Sequence, residues 1–378
     1  MKHTVTTAST LIYCSIFVAS SIYVMIPLQP RLSELYDVSV GFVSLSSTLF
    51  VLPYAIGLLI FGVLADRFPL RTLLLVGMAL LTFFTGLLAL SDSIYSLVVL
   101  RIFQGVLAAS FAPVAFSYCF KHFSGTLQAF VIAMINTGFL FAGVFGQMVS
   151  AFFADLFSYH AVFIVFFCFY LTCFIGLFQT LQFSSTQQSY RLKDLSATIL
   201  SCFKNQVLQK LYVIAFFLLL TIMLFYGSFE IYLYNNWVDF PFSLQLFRMI
   251  SLIGIIPAFF ASSVMKWFGA VNVLRFQLGI MIIGFIPSIF FLHVGSVLFA
   301  SFMMITSTSL SIPMVVLLVG KHATVSKSTA VALYSFVLLI GASLGSTLAS
   351  SISFLLVIVL VPITFIALVV FTRLLPKE

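Results

Sequence analysis

Long apolar runs separated by short polar breaks dominate this chain. Twelve runs stand out, at residues 9–28, 42–64, 72–90, 94–120, 127–153, 161–181, 211–234, 244–265, 271–292, 295–319, 330–350 and 354–374. An α-helix needs roughly 20 apolar residues to cross the hydrocarbon core of a bilayer, so each run predicts one membrane span. The runs are continuous and do not alternate in ten-residue segments, so helices are expected and a β-barrel is not. Lipid offers backbone amides no partner, and a helix satisfies them within its own segment. The chain averages about 31 residues per run plus break, which leaves no room for a soluble domain once about 20 are spent on each span. The first run extends past signal-peptide length and is read as a span.

The longest polar break, residues 183–210, is rich in Ser and Gln and carries Arg191, Lys193 and Asp194. Six spans precede it and six follow. The expected organisation is an N-terminal six-helix bundle over 1–182, a cytoplasmic linker over 183–210 and a C-terminal six-helix bundle over 211–378. The halves are similar at a shift of 200 residues. Pro113 matches Pro313, Lys121-His122 matches Lys321-His322, and Phe68 matches Phe268. Equivalent places in the span order point to a parallel repeat, a design that sets the substrate path at the interface of the repeats.

Composition agrees with this reading. Hydrophobic residues make up 62% of the chain and charged residues only 7%, against roughly a quarter charged in a soluble domain. The net charge of +8 does not indicate nucleic acid, because its distribution has another cause. With the N-terminus inside, 14 of the 17 Lys and Arg residues fall on the cytoplasmic side, among them Arg67, Arg71, Lys121, Lys210, Lys266, Arg275, Lys321 and Arg373. Arg31 alone lies outside, and Arg101 and Arg248 fall within spans. This asymmetry is the positive-inside rule, and it predicts cytoplasmic N- and C-termini. The five cysteines, Cys14, Cys119, Cys168, Cys173 and Cys202, show no metal-ligand spacing and read as small packing residues. No nucleotide-binding loop and no catalytic constellation is present, so neither an ATP-driven pump nor an enzyme is expected. No cofactor and no metal are expected.

Three blocks carry more specific chemistry. The break after the second span reads Gly62-Val63-Leu64-Ala65-Asp66-Arg67-Phe68-Pro69-Leu70-Arg71. A glycine there permits close helix approach, and an acid with two arginines in a tight turn can lock neighbouring helix ends by charge-assisted bonds. Making and breaking such a lock would set the balance between two conformations. The fourth span opens Arg101-Ile102-Phe103-Gln104-Gly105. A guanidinium one to two turns inside the membrane must be paired, hydrated or snorkelled to the headgroups. In the fifth span Gly138, Ala142 and Gly146 recur every fourth residue, with Gly143 and Gln147 beside them. That small face suits tight packing on a partner helix, expected to come from the other half.

Together these blocks resemble the major facilitator superfamily, specifically its twelve-span drug:proton antiporter-like branch. The Gly62–Arg71 stretch is similar to the loop signature Gly-x-Leu-Ala-Asp-Arg-x-Gly-Arg-Arg/Lys. Arg101 to Gly105 resembles the fourth-span signature Arg-x-x-Gln-Gly, and Gly138 to Gln147 the fifth-span signature Gly-x-x-x-Gly-Pro-x-x-Gly-Gly. Pro69 and Leu70 depart from the first signature, and Ala142, Gly143 and Gln147 from the third. The resemblance implies an all-α integral membrane protein, twelve helices in two six-helix bundles, with gating residues at Gly62, Asp66, Arg67, Arg71, Gly138, Gly143 and Gly146.

Glu230, in Tyr226-Gly227-Ser228-Phe229-Glu230-Ile231-Tyr232-Leu233-Tyr234, is the one acid that falls within a predicted span. Low dielectric penalises a carboxylate's charged form, so an acid placed there takes a proton or a cationic partner. The segment resembles the seventh span of drug:proton antiporters, which implies proton coupling through Glu230, with Arg101 as the second candidate. The alternative is a boundary residue facing outside water. The tenth span, Ser307-Thr308-Ser309-Leu310-Ser311-Ile312-Pro313, holds no second acid, so a two-carboxylate relay is not expected. Arg248 is interfacial, a partner of Glu230, or a partner of an anionic substrate. Candidate substrate-lining residues are Tyr23, Phe50, Tyr54, Gln104, Asn136, Phe139, Gln147, Tyr226 and Tyr234. Rings suit amphipathic molecules, and amides in lipid need partners.

The expected function is proton-coupled efflux of a small amphipathic compound by alternating access, with a metabolite or sugar importer as the alternative. A non-transporting receptor or scaffold is disfavoured by the short loops. The expected partners are a small-molecule substrate, protons and the lipid bilayer, the expected state is a monomer, and the expected location is a bacterial cytoplasmic membrane.

Overall fold

The computed structural model describes residues 2–182, 195–236, 244–324 and 326–376. Among the described residues the regular structure is entirely helical. The helices are α1 (Lys2–Tyr23), α2 (Gln29–Tyr36), α3 (Val40–Leu64), α4 (Leu70–Ala89), α5 (Ile94–Ala108), α6 (Phe111–His122), α7 (Gly125–Leu156) and α8 (Tyr159–Thr180). They continue as α9 (Leu195–Lys204), α10 (Gln206–Asn236), α11 (Leu244–Ser251), α12 (Ala261–Phe268), α13 (Ala270–Phe290), α14 (Val294–His322), α15 (Lys327–Leu348) and α16 (Phe354–Thr372). Among the described residues, twelve stretches are long and apolar enough to cross a membrane. Spans 1, 2 and 3 are α1, α3 and α4, span 4 is α5 with α6, and spans 5, 6 and 7 are α7, α8 and α10. Span 8 is α11 and α12 with the 3₁₀ helix Leu252–Phe260 between them, and spans 9 to 12 are α13 to α16. Of the expected linker, 183–194 lies outside the described residues, and the rest forms α9 and the start of α10.

Proline chemistry explains where the helices depart from the predicted runs. Span 1 stops at Tyr23 instead of residue 28. Pro27 has no N–H to give the Tyr23 carbonyl, and the Ile26 N–H takes that acceptor in a tighter turn. The chain then forms the extra short helix α2, with Pro30 in its first turn and Asp37 in the left-handed conformation (φ 49°) at its end. Span 8 contains Pro257 within a nine-residue 3₁₀ stretch, where the missing amide bond is absorbed by a tighter winding.

The chain divides into two compact units, Met1–His122 with Gly138–Leu195, and Phe123–Thr137 with Ser196–Glu378. Lipid-facing and core-facing residues are both apolar here, as in membrane bundles generally. In α3, Leu52, Ile56 and Ile60 lie exposed along one face, and Phe50, Tyr54 and Leu58 are buried along the other.

Close packing in each unit depends on glycines set against a neighbour's backbone. A Cβ at Gly105 would lie 2.3 Å from the Phe50 carbonyl oxygen, joining α5 to α3. One at Gly146 would lie 2.9 Å from the Ser20 carbonyl oxygen, joining α7 to α1. In the second unit Gly341 on the Phe216 carbonyl and Gly345 on the Leu220 carbonyl join α15 to α10, the counterpart of the α7–α1 contact. Ser20 and Leu220 are 200 residues apart, and Gly146 and Gly345 are 199 apart, so the repeat extends to backbone contacts. This also corrects one expectation. Gly138 and Gly146 of the small face pack on α1 of their own unit, against Ser15 and Ser20, where a helix of the other half is expected from the sequence.

A graded prediction follows for α7. At Gly143 an added Cβ would meet only the Tyr23 ring at 3.6 Å, an ordinary contact. Gly143→Ala is expected to leave the unfolding temperature in detergent unchanged or raised, because alanine is the better helix former by up to about 1 kcal/mol. Gly146→Ala is expected to lower it, at a cost of about 1–3 kcal/mol from overpacking against backbone. Equal effects of the two changes would contradict the α1–α7 contact.

Candidate functional site

In the first unit, the sequence candidates Arg101, Gln104, Phe50 and Tyr54 come together. Arg101 is fully buried, so it does not snorkel. Its Nη2 donates to the Ser21 carbonyl at 3.0 Å and its Nε to the Ser46 carbonyl at 3.5 Å, while Nη1 donates to Gln104 Oε1. Its guanidinium lies 4.0 Å above the Phe50 ring, and Phe50 stacks on Tyr54 at 5.8 Å. Gln104 passes the network on, donating from Nε2 to Thr85 Oγ1 at 2.8 Å. The cation is thus solvated by carbonyls, an amide and a ring from α1, α3 and α5, a substitute for water that makes its burial tolerable.

The remaining first-unit candidates are dispersed. Tyr23 is half-buried and faces Gly143. Phe139 sits edge-on to Phe111 and Phe116. Gln147 Nε2 donates to the Gly143 carbonyl at 2.6 Å. Asn136, in the segment grouped with the second unit, is buried and donates to the Ile132 carbonyl at 2.8 Å. Both amides therefore find a partner one turn back on their own helix.

In the loop block, Gly62 is buried in α3. Asp66 and Arg67 occupy a turn closed by bonds from Asp66 N to the Val63 carbonyl and from Arg67 N and Phe68 N to the Leu64 carbonyl. Arg71 Nη2 donates to the Phe178 carbonyl at 3.1 Å in the last turn of α8, with its guanidinium 5.6 Å from the Phe178 ring. The second unit uses the same device. Arg275 Nε donates to Thr372 Oγ1 at 3.1 Å and its Nη2 to the Thr372 carbonyl at 3.3 Å, at the end of α16. In both units a basic side chain from the third span of the repeat donates to a carbonyl near the end of the sixth, where helix carbonyls run short of backbone donors.

The second unit holds the other cluster. Glu230 on α10 faces Arg248 on α11, with Arg248 Nη2 3.3 Å from Glu230 Oε2. The acid is 63% exposed and the arginine 25%, so the pair is open on one side. The guanidinium also lies 5.3 Å from the Tyr226 ring. Tyr226 OH is bonded to Ser301 Oγ on α14 at 2.8 Å. Phe229 and Phe247, both fully buried with rings 4.9 Å apart, hold α11 against α10 and keep Arg248 opposite the acid. The sequence singles out Glu230 and Tyr226 but leaves Arg248 open among three roles. Residues 230 and 248 belong to different helices, so no helical periodicity relates them. The side chain of Tyr234 lies outside the described ones.

Within the second unit, α14 carries Thr306, Ser307, Thr308, Ser309 and Ser311, all buried. Ser307 Oγ donates to the Gln277 carbonyl at 2.7 Å and Ser309 Oγ to the Gly254 carbonyl at 3.3 Å. These hydroxyls stitch α14 to α13 and span 8 in a medium without water.

Comparison with known proteins agrees with this architecture. The chain is 24% identical over 343 residues to an uncharacterized transporter of Buchnera aphidicola, covering 87% of this chain and 80% of that protein. It is 24% identical over 150 residues to the inner membrane transport protein YnfM of Escherichia coli, covering 40% of this chain and 36% of the other. Among solved structures, the human organic anion transporter MFSD10 superposes with a TM-score of 0.77 at 14% identity, over 98% of both chains. The transporter FucP in its outward conformation superposes at 0.75 and 13% identity, over 98% of this chain and 99% of that one. The sequence model described as Major Facilitator Superfamily matches residues 11–346. With twelve spans, repeated glycine contacts in both units and a match across most of its length, the chain belongs to the major facilitator superfamily and is a multi-pass membrane transporter.

Proposed function

We propose that this transporter is proton-coupled and moves a small amphipathic compound across a bacterial cytoplasmic membrane by alternating access. The observation that carries this reading is Glu230. It is the one carboxylate within the described spanning helices of its unit, and it stands within ion-pair distance of Arg248. A carboxylate with a single, half-open partner can exchange that partner for a proton at modest cost, and such an exchange couples a proton gradient to conformation. Arg101 serves in this reading to hold α1, α3 and α5 in register around the path. The Asp66–Arg71 turn sets the conformational balance. The chain works as a monomer with both termini cytoplasmic.

Efflux in exchange for protons is the mode that the motif resemblance supports. Symport, the mode of an importer, is the second reading, and the guanidinium beside the acid favours it because an anion and a proton can then bind together. Reconstitution in proteoliposomes tests the common part. Glu230→Gln is expected to abolish the response of transport to an imposed pH gradient, by about tenfold or more, with the protein still folded. A response equal to that of the native chain would remove Glu230 from the mechanism.

A further inference from the structure

We infer that Arg248 is a substrate site for an amphipathic organic anion, a carboxylate that takes the place of Glu230 and enters with one proton. The inference rests on the proton-coupled reading, and within it on the symport mode. It starts from charge counting. Among the described residues, the helices packed around the pair supply no other charge near it. In α14 the charged or titratable residues are Lys321 and His322, at its far end, in α15 Lys327 and Tyr334, and in α16 there are none. His293 caps the start of α14, where its Nδ1 accepts the Ser296 N–H at 3.0 Å. On α10 itself, beyond the near-terminal Lys210 and Tyr212, only Tyr226, Glu230, Tyr232 and Tyr234 titrate. The span 8 helices add Arg248 itself and Lys266, which lies at the far end of α12.

Glu230 and Arg248, 3.3 Å apart, offset each other, and a ligand that engages only one of them leaves the other's charge uncompensated at short range. A cation bound to Glu230 would leave Arg248 uncompensated, a net charge of one. An anion bound to Arg248 with Glu230 still ionised would leave the opposite charge. An anion on Arg248 with a proton on Glu230 restores neutrality. The two ligands thus favour each other's binding, and each alone is opposed. The proton goes to a Glu230 carboxylate oxygen, the Arg248–Glu230 contact breaks, and a guanidinium–carboxylate contact to the substrate forms in its place.

The geometry suits that exchange. A guanidinium presents a planar fork that matches a carboxylate. The Tyr226 ring at 5.3 Å backs Arg248, and the Ser301 hydroxyl fixes the Tyr226 hydroxyl. The open side of the pair leaves an approach for the ligand. Arg101 offers no competing site, because its guanidinium is fully buried among carbonyls and a ring.

Thermal unfolding of the purified, detergent-solubilised chain tests this without transport. The probes are 2-naphthoate as the anion and tetraphenylphosphonium as the cation. 2-Naphthoate is expected to stabilise the native chain, with apparent affinity about tenfold or more higher at acid than at alkaline pH. Glu230→Gln, which mimics the protonated acid, is expected to bind it equally at both. Arg248→Gln is expected to lose it and Arg248→Lys to retain part of it. If Arg248→Gln does not fold, the Glu230→Gln and Arg248→Lys results decide. Stabilisation by the cation alone, anion binding that ignores pH in the native chain, or no effect of the anion overturns the inference. Gradient-driven transport lost in Glu230→Gln alongside a failed anion result would leave proton coupling standing and the substrate class refuted.

Discussion

Gly341→Ala with Gly345→Ala is expected to leave little folded protein. The Cβ of an alanine at 341 would lie 2.2 Å from the Phe216 carbonyl oxygen, and one at 345 would lie 2.3 Å from that of Leu220. Neither obstacle is a side chain that can rotate away. Relief requires α15 to move off α10 along their whole contact, a seam on which the second unit depends. Overpacking against movable groups costs about 1–3 kcal/mol. Two backbone clashes on one seam should exceed that, and they would also remove the Cα–H···O contacts that such close approach permits. The readout is the fraction of purified chain that is monodisperse in detergent, together with its unfolding temperature. A native-like yield and melting curve would mean that these helices are not seated as described.

The second large effect is expected at Arg101. Arg101→Lys retains a positive charge but not the shape. An ammonium cannot cover the Ser21 and Ser46 carbonyls and the Gln104 amide at once, nor lie flat over Phe50 at 4.0 Å. Each acceptor left open in a buried site costs about 1–3 kcal/mol, which should lower the unfolding temperature by several degrees. The alternative role, direct participation in proton coupling, gives the opposite pattern. Transport would fall while the melting temperature held. Measuring both quantities on the one variant separates the two.

Much of the architecture is legible in the sequence because membrane spans are written in composition. A run such as 354–374 has nowhere to go but a bilayer, and the twelve runs recur as twelve candidate spans among the described residues, two of them built from more than one helix. Helix faces are not legible, since lipid and protein core both select apolar side chains. Ile56 and Leu58 are equally apolar, and nothing in their chemistry says that the first is exposed and the second buried. The partner of the Gly138–Gly146 face is hidden for the same reason, and the expectation of a helix from the other half fails there. Arg101 stands out as a costly residue, yet its solvation is concealed because two of its acceptors are backbone carbonyls, which every residue has. Gly341 and Gly345 are spaced like the fifth-span glycines, so their four-residue interval was a usable signal. Matched prolines, lysines and histidines mark the repeat less directly than a contact distance does.

The 3₁₀ stretch of span 8 has a mechanical corollary. Tighter winding advances each residue by about 120° and 2.0 Å, where an α-helix advances it by about 100° and 1.5 Å. Over the nine residues of Leu252–Phe260 the difference accumulates to about half a revolution and roughly 4–5 Å of length. Arg248 sits on one side of this screw and Lys266 on the other. Rewinding it to ordinary pitch would turn the two ends of span 8 against each other by about half a revolution, and with the Arg248 end clamped by the Phe229–Phe247 contact the turn would fall on the Lys266 end.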